Sequence, residues 1–438
     1  MKRIQPGLEQ VTRILGEQKH NRNVEYRLSK YCCSVAVDEG TIYYHTLTGA
    51  IWFLEGDEKA EDFLDEWIGG WAFVPEGFDE RKQTDDLRRL AKILWKTNKK
   101  THFWILTTTD CNARCYYCYE KGIERFSMTE QTASDTAEYI SKACGGDPVG
   151  LTWFGGEPLY NRRAIEIICS RLRENGIHFQ SSMISNGYYF DRKTSEMAVR
   201  DWKLEKIQIT LDGTAEVYKR TKAYIERDED PFSRVLNNIE FALQAGIEVY
   251  VRLNMNRKNA ADLMDLAHLL AERFPDKSHL HVYPALLREF TGPVYGFEAD
   301  EELEKVLKMR RQLWELGLFK PEKLSLKPRI YCCMGDDDSC EGIMPDGRIA
   351  TCQHYDKAEY IGAVFTSGRD TTTAKKWKET GSFPSCNDCP LYPRCVSLKK
   401  CPWMKEGCSD AKRTIKLKDL EDSVLAAYRE WKEKERTT

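Results

Sequence analysis

The 438-residue sequence has no long apolar run. No stretch approaches the about 18 residues that a membrane helix requires, and Met1-Lys-Arg-Ile-Gln-Pro-Gly7 leads into no signal-sequence core. A surplus of either charge is missing as well. The 66 Lys and Arg stand against 69 Asp and Glu, a net of −3, so neither nucleic acid nor an anionic bilayer is expected as a partner. These absences point to a cytoplasmic protein. Cysteine, by contrast, is plentiful: there are 16, and nine lie between Cys332 and Cys408. In a reducing compartment, clustered thiols read as metal ligands rather than disulfides. With 41% hydrophobic and 31% charged residues the chain is globular, and its length allows about two to four domains.

Residues 100 to about 318 alternate strand and helix patterns. The expected strands are Phe103–Thr108, Val149–Phe154, His178–Ser185, Lys206–Leu211, Ile247–Asn254 and His279–Pro284. Helical periodicity marks Thr129–Ala143, Arg162–Asn175, Lys193–Trp202, Phe232–Ala245, Ala260–Phe274 and Asp300–Leu316. Such alternation predicts an α/β parallel sheet with right-handed crossovers, either a partial barrel or a doubly wound sheet. Either way the chemistry belongs on the loops after the strands.

Directly after the first strand stands Cys111-Asn-Ala-Arg-Cys115-Tyr-Tyr-Cys118, a C-x3-C-x2-C spacing. Three thiolates on a 4Fe–4S cube leave one iron open to a small molecule, because a cube normally takes four cysteines. The plainer alternatives are a zinc site or three unrelated thiols. The spacing, with Tyr117 just before the last cysteine, resembles the signature of the radical S-adenosylmethionine (SAM) enzymes. That resemblance implies a partial (β/α)6 TIM-like barrel, with SAM on the open iron and cleaved to a 5′-deoxyadenosyl radical.

More of the pattern follows at the later strand ends. Gly155-Gly156-Glu157-Pro158 resembles the family's GGEP element, which implies contact with the amino group of SAM. Ser185-Asn186-Gly187 and Thr210-Leu-Asp-Gly213 resemble further SAM-pocket turns, implying contacts from Asn186 and Thr210. Lys222 stands where relatives place a cation near the SAM carboxylate, and Tyr117 is the matching residue for the adenine. Cys144 and Cys169 fall on helical patterns and read as small buried residues.

The last third reads Cys332-Cys333-x6-Cys340-x11-Cys352, then Cys386-x2-Cys389-x5-Cys395-x5-Cys401-x6-Cys408. Pro345-Asp-Gly347 is a hairpin signal that brings Cys340 and Cys352 toward each other. This block resembles the SPASM domain, which implies two auxiliary 4Fe–4S clusters. The first would take Cys333, Cys340, Cys352 and Cys401, with Cys332 an alternative to Cys333. The second would take Cys386, Cys389, Cys395 and Cys408. With the barrel cluster, the cofactor set is SAM and three 4Fe–4S clusters.

The block boundaries expected are 1–99, a small α+β winged-helix-like peptide-recognition domain or a structural cap; 100–320, the barrel; 321–412, the SPASM domain; and 413–438, a C-terminal helix. Within the first block, Tyr31–Val37, Thr41–His45 and Ala50–Leu54 read as strands, and Lys59–Trp67 and Thr84–Lys96 as helices. The resemblance implies a peptide-modifying enzyme acting on a ribosomally made precursor peptide, installing a carbon–carbon or thioether cross-link. Its partners would be that peptide, its leader held by the N-terminal block, and an electron donor such as flavodoxin or ferredoxin. Two alternatives stand beside this. One is anaerobic sulfatase maturation, disfavoured by Gln353 where those relatives have a catalytic Asp. The other is a non-enzymatic iron–sulfur scaffold, against which Gly155–Pro158 argues.

Overall fold

The computed structural model describes residues 1–16, 18–94, 97–287, 299–319, 331, 333–353, 359–401, 408 and 410–437. They fall into two compact units: Met1–Lys96, Pro321–Asp336 and Glu379–Thr438 form one, and Thr97–Lys320 with Asp337–Lys378 the other. Breaks fall at 96/97 and 320/321, close to the block edges at 99 and 320, but the 321–412 block is divided between the units and no break falls at 412, because cores are shared by segments distant in the chain.

The first unit begins with β1 (Lys2–Gln5), α1 (Glu9–Leu15), β2 (Tyr26–Leu28), β3 (Cys32–Val37), β4 (Gly40–His45), β5 (Ile51–Glu55), α2 (Leu64–Gly69), β6 (Phe73–Pro75) and α3 (Glu80–Leu94). Strands β1, β5, β4 and β3 form an antiparallel sheet in that order, which leaves β3 at one edge. β-Branched and aromatic residues alternate faces along it, and each face finds a cover. Ile42, Tyr44, Ile51 and Phe53 share a core with Leu391 and with Leu420, Val424 and Tyr428 of the helix Asp410–Thr437. Trp52 and Leu54, on the other face, pack with Trp67 and Ala72. Neither β1 nor α1 is marked by the sequence pattern. Strand β1 is only four residues long, and pairing with β5 defines it.

The second unit continues with β7 (His102–Leu106), α4 (Glu130–Ala143), β8 (Val149–Phe154), α5 (Arg162–Glu174), β9 (Phe179–Ser185), α6 (Arg192–Trp202), β10 (Leu204–Leu211), α7 (Ala215–Lys222), α8 (Pro231–Gln244), β11 (Glu248–Met255), α9 (Ala260–Arg273), β12 (Leu280–Leu286) and α10 (Ala299–Glu315). Strands β7 to β12 are parallel and neighbours in sequence order. Strict alternation sets their two faces. Ile207, Ile209 and Leu211, with Val249, Val251 and Leu253, are fully buried, while the residues between them form the opposite face. The helices start where caps dictate: Thr129, Asp191 and Asp230 accept from the N–H of Thr132, Thr194 and Ser233. Each such cap contributes about 1 kcal/mol.

The hairpin expected at Pro345–Gly347 forms from β13 (Cys340–Ile343) and β14 (Arg348–Ala350), followed by β15 (Tyr360–Ala363). Its placement was not legible. Strand β13 pairs parallel to β7, Cys340 opposite His102, so the sheet runs to nine strands. No helix among the described residues is long and apolar enough to cross a membrane.

Candidate active site

The loop after β7 carries Cys111, Cys115 and Cys118, and the structure shows what holds it. The N–H groups of Gly156 and Glu157 donate to the carbonyls of Thr108 (3.1 Å) and Asp110 (3.0 Å). That approach is so close that a Cβ on Gly156 would stand 2.3 Å from the Asp110 oxygen, and one on Gly155 2.3 Å from that of Thr108. Gly155 also has φ +126°, a conformation that side chains rarely adopt. Both glycines therefore buttress the cysteine loop.

Glu157 is fully buried. Its carboxylate accepts from Ser185 Oγ (2.9 Å), from the N–H of Asn186 (2.8 Å) and from that of Leu159 (3.2 Å). Burial pushes its pKa up to about 7 despite these donors. Asn186 Nδ2 in turn donates to Asn112 Oδ1 (2.7 Å) and lies 3.8 Å from Cys111 Sγ. The ends of β8 and β9 are thus tied to the loop after β7. Asn112 and Ser185 were not picked out from the sequence, because nothing local marks a side chain whose partner lies on another strand.

On the other side of the loop, Tyr117 donates to Asp212 Oδ1 (2.8 Å), and Lys222 Nζ lies 3.0 Å from Asp212 Oδ2 and 3.4 Å from the Tyr117 hydroxyl. Lys222 and Asp212 are removed from solvent, at 3% and 1% exposure, and Tyr117 is half-buried. Burial opposes the lysine charge, but Asp212, Tyr117 and Cys115 together hold its pKa well above the ordinary value. Lys222 sits on α7, a helix with no signal in the sequence pattern. Its neighbour Asp212 belongs to the Thr210–Gly213 turn, where the sequence did show it without assigning it a role. Thr210 faces the same side of the sheet and has no hydrogen-bond partner among the described residues.

Among the three thiols, Cys115 raises the pKa of both Cys111 and Cys118, and Cys118 that of Cys111. Burial first, then Glu157, lifts Cys111 to about 12, while burial and Glu120 lift Cys118 to about 11. The N–H of Ala113 points at Cys111 Sγ (3.3 Å), a contact that favours a thiolate. No three His, Cys, Asp or Glu side chains among the described residues close around a single ion. A cube differs from a single ion in spreading its thiolates over separate irons, and three half-buried thiols on one loop, without a fourth, fit that donor set.

The remaining cysteines are free thiols too, where described, and Cys332 lies outside the described residues. Cys386, Cys389, Cys395 and Cys408 line one cavity of about 540 Å3 beside α3 in the first unit. The loop that carries them is pinned: Arg88 donates to the carbonyl of Cys395 (3.0 Å), and Tyr392 to Asp85 (2.6 Å). Of the other set, Cys333 and Cys401 belong to the first unit, and Cys340 and Cys352 to the second. Cys32 lies buried on β3, Cys144 at the end of α4 and Cys169 within α5.

Residues 105–270, from β7 into α9, match the model of the radical SAM superfamily. The chain therefore carries a radical SAM domain over those residues. Among curated proteins it is 25% identical over 271 residues to the Fe-coproporphyrin III synthase of Methanosarcina barkeri, spanning 61% of this chain and 61% of that relative. The fold resembles native anSMEcpe with bound AdoMet and Cp18Cys peptide (TM-score 0.55, 15% identity, 76% of this chain and 99% of the other). It also resembles Streptococcus suis SuiB bound to precursor peptide SuiA (TM-score 0.52, 12% identity, 85% and 94%).

Proposed function

We propose that the radical SAM domain acts on a peptide, binding SAM against a 4Fe–4S cluster held by Cys111, Cys115 and Cys118. The observation that carries the cofactor reading is the pair of glycines on which no Cβ fits, locking a three-cysteine loop with no fourth cysteine on it. With SAM, the reduced cluster supplies a carbon-centred radical able to take hydrogen from an unactivated C–H bond. The chain's own contribution is placement. Gly155 and Gly156 fix the loop, Glu157 and Asn186 tie strand ends to it, and Tyr117, Asp212 and Lys222 form a buried polar wall. Thr210 offers a hydroxyl without a hydrogen-bond partner among the described residues. Of these, Glu157 keeps one oxygen with a single donor, and a substrate ammonium is the group that suits it.

The peptide reading rests on β3. Tyr31 O accepts from the N–H of Thr46, so the pairs with β4 alternate, and the N–H groups of Ser34 and Ala36 turn away from β4. Both residues are exposed. An edge of this kind takes an extended segment as a further strand, giving a leader peptide main-chain affinity. Two fold neighbours were solved with bound peptides, which supports a peptide substrate, although the curated relative is named as a synthase of Fe-coproporphyrin III. Cross-link formation in such a precursor, with two auxiliary clusters at the C-terminal cysteines and a flavodoxin or ferredoxin as electron source, completes the proposal.

The experiment is anaerobic reconstitution, reduction with dithionite and measurement of 5′-deoxyadenosine. Replacing Cys111, Cys115 and Cys118 by Ala should abolish its formation. If the triple variant still cleaves SAM, the reading is wrong.

A further inference from the structure

The sheet face opposite the buried one carries Gln208 and Thr210 on β10, Tyr250, Arg252 and Asn254 on β11, and His281 and Tyr283 on β12. Arg252 stands in register with Thr210 on one side and Tyr283 on the other. Asp212 lies two residues beyond Thr210, so Arg252 sits about 7 Å along the strands from the buried polar wall.

Its guanidinium is held but not neutralised. Nε donates to Asn254 Oδ1 (2.9 Å). Because Nε–H can only donate, the Asn254 oxygen must face it, which leaves the Asn254 amide NH2 as a donor. Tyr283 Oη donates to Gln208 Oε1 (2.7 Å), which leaves the Gln208 NH2 as another. Neither NH2, nor either Nη of Arg252, has a partner among the described residues. The carboxylates of this face are already engaged. Asp212 is paired with Lys222 and Tyr117, and Glu248 with His279 (2.6 Å) and His281 (2.8 Å). The result is a patch of donors whose acceptors are used up, around a half-buried cation with no anion among the described residues.

We propose that Arg252, steadied by Asn254 and flanked by Gln208, anchors a carboxylate of the bound reactants. A fixed guanidinium fork matches a carboxylate in two parallel hydrogen bonds, which neither water nor an amide does as well. The carboxylate has two sources within the proposed function, on which this inference rests: an acidic side chain of the peptide, or the amino-acid end of SAM.

Two binding measurements on the reconstituted protein separate them. The first compares the peptides Ac-Gly-Asp-Gly-NH2 and Ac-Gly-Asn-Gly-NH2 by NMR titration in the presence of SAM. The second measures SAM affinity by equilibrium dialysis. If the peptide supplies the carboxylate, the wild type prefers the Asp peptide about tenfold, and Arg252→Gln removes the preference. If SAM supplies it, Arg252→Gln weakens SAM about tenfold and the two peptides bind alike. Arg252→Lys, which keeps the charge but not the fork, should fall between wild type and Arg252→Gln, and it guards against a folding defect in the latter. An Asp preference that survives Arg252→Gln, or no preference together with unchanged SAM affinity, overturns the proposal. Wild-type protein that shows the Arg252-dependent preference yet never yields 5′-deoxyadenosine would sink the proposed function and leave the anchor standing.

Discussion

Gly156 shows how one atom can decide a site. A methyl group there meets the Asp110 carbonyl oxygen at 2.3 Å, a backbone atom that cannot swing aside, so the cysteine loop has to move. Gly156→Ala should lower stability by about 1 to 3 kcal/mol, as other overpacking changes do, and reduce SAM cleavage more than that loss explains. Thermal denaturation alongside 5′-deoxyadenosine yield checks both parts. His45 gives a pH prediction. It is fully buried; its Nδ1 accepts from the N–H of Thr48 (3.1 Å), and its Nε2–H donates to Ser29 Oγ (3.1 Å), which in turn donates to Glu80. Burial lowers its pKa from 6.5 to about 3. Between those values the unfolded chain binds a proton that the folded chain refuses. Stability is therefore full above about pH 6.5 and is lost as pH falls. Urea denaturation should show about 2 kcal/mol of this loss by pH 5, and His45→Asn should remove that part of the pH dependence while lowering stability overall.

At the scale of elements, strand β3 and the cysteine loops make separable claims. Proline is tolerated at an edge position whose N–H faces outward, so Ser34→Pro leaves the β4 ladder intact but blocks an added strand. Turnover of a leader-bearing precursor should then fall at least about tenfold, with SAM cleavage in the absence of peptide kept. A normal rate with the full precursor would show that this sheet does not hold the leader. For the cysteine loops the measurement is metal content. Three clusters require about twelve irons per chain, and the Cys111/Cys115/Cys118 triple Ala variant should retain about eight. A reconstituted protein with about four irons and the remainder zinc removes the two auxiliary clusters.

At the scale of the molecule, the C-terminal helix supports the N-terminal sheet. Phe53 and Tyr428 have ring centroids 5.1 Å apart, within a core that also includes Leu420 and Val424. Tyr428→Ala should cost about 3 kcal/mol or more in urea denaturation, the range for losing a large buried aromatic. Deleting the N-terminal block would strip that helix of its partner, so Ser34→Pro is the cleaner test of leader binding. The sequence alone was enough to show the alternation of strands and helices, since each strand and helix carries its own period. It was also enough for the Cys111–Cys118 loop and for Gly155–Glu157, because those spacings are local. Only the tertiary structure decided three things. Strand β13 joins the barrel sheet beside β7, residues 1–96 share a core with 379–438, and Arg252 meets no carboxylate among the described residues while Lys222 is taken by Asp212. Each of these depends on which distant residue supplies the partner, and a hydrogen bond or a packed face leaves no local period in the chain to announce it.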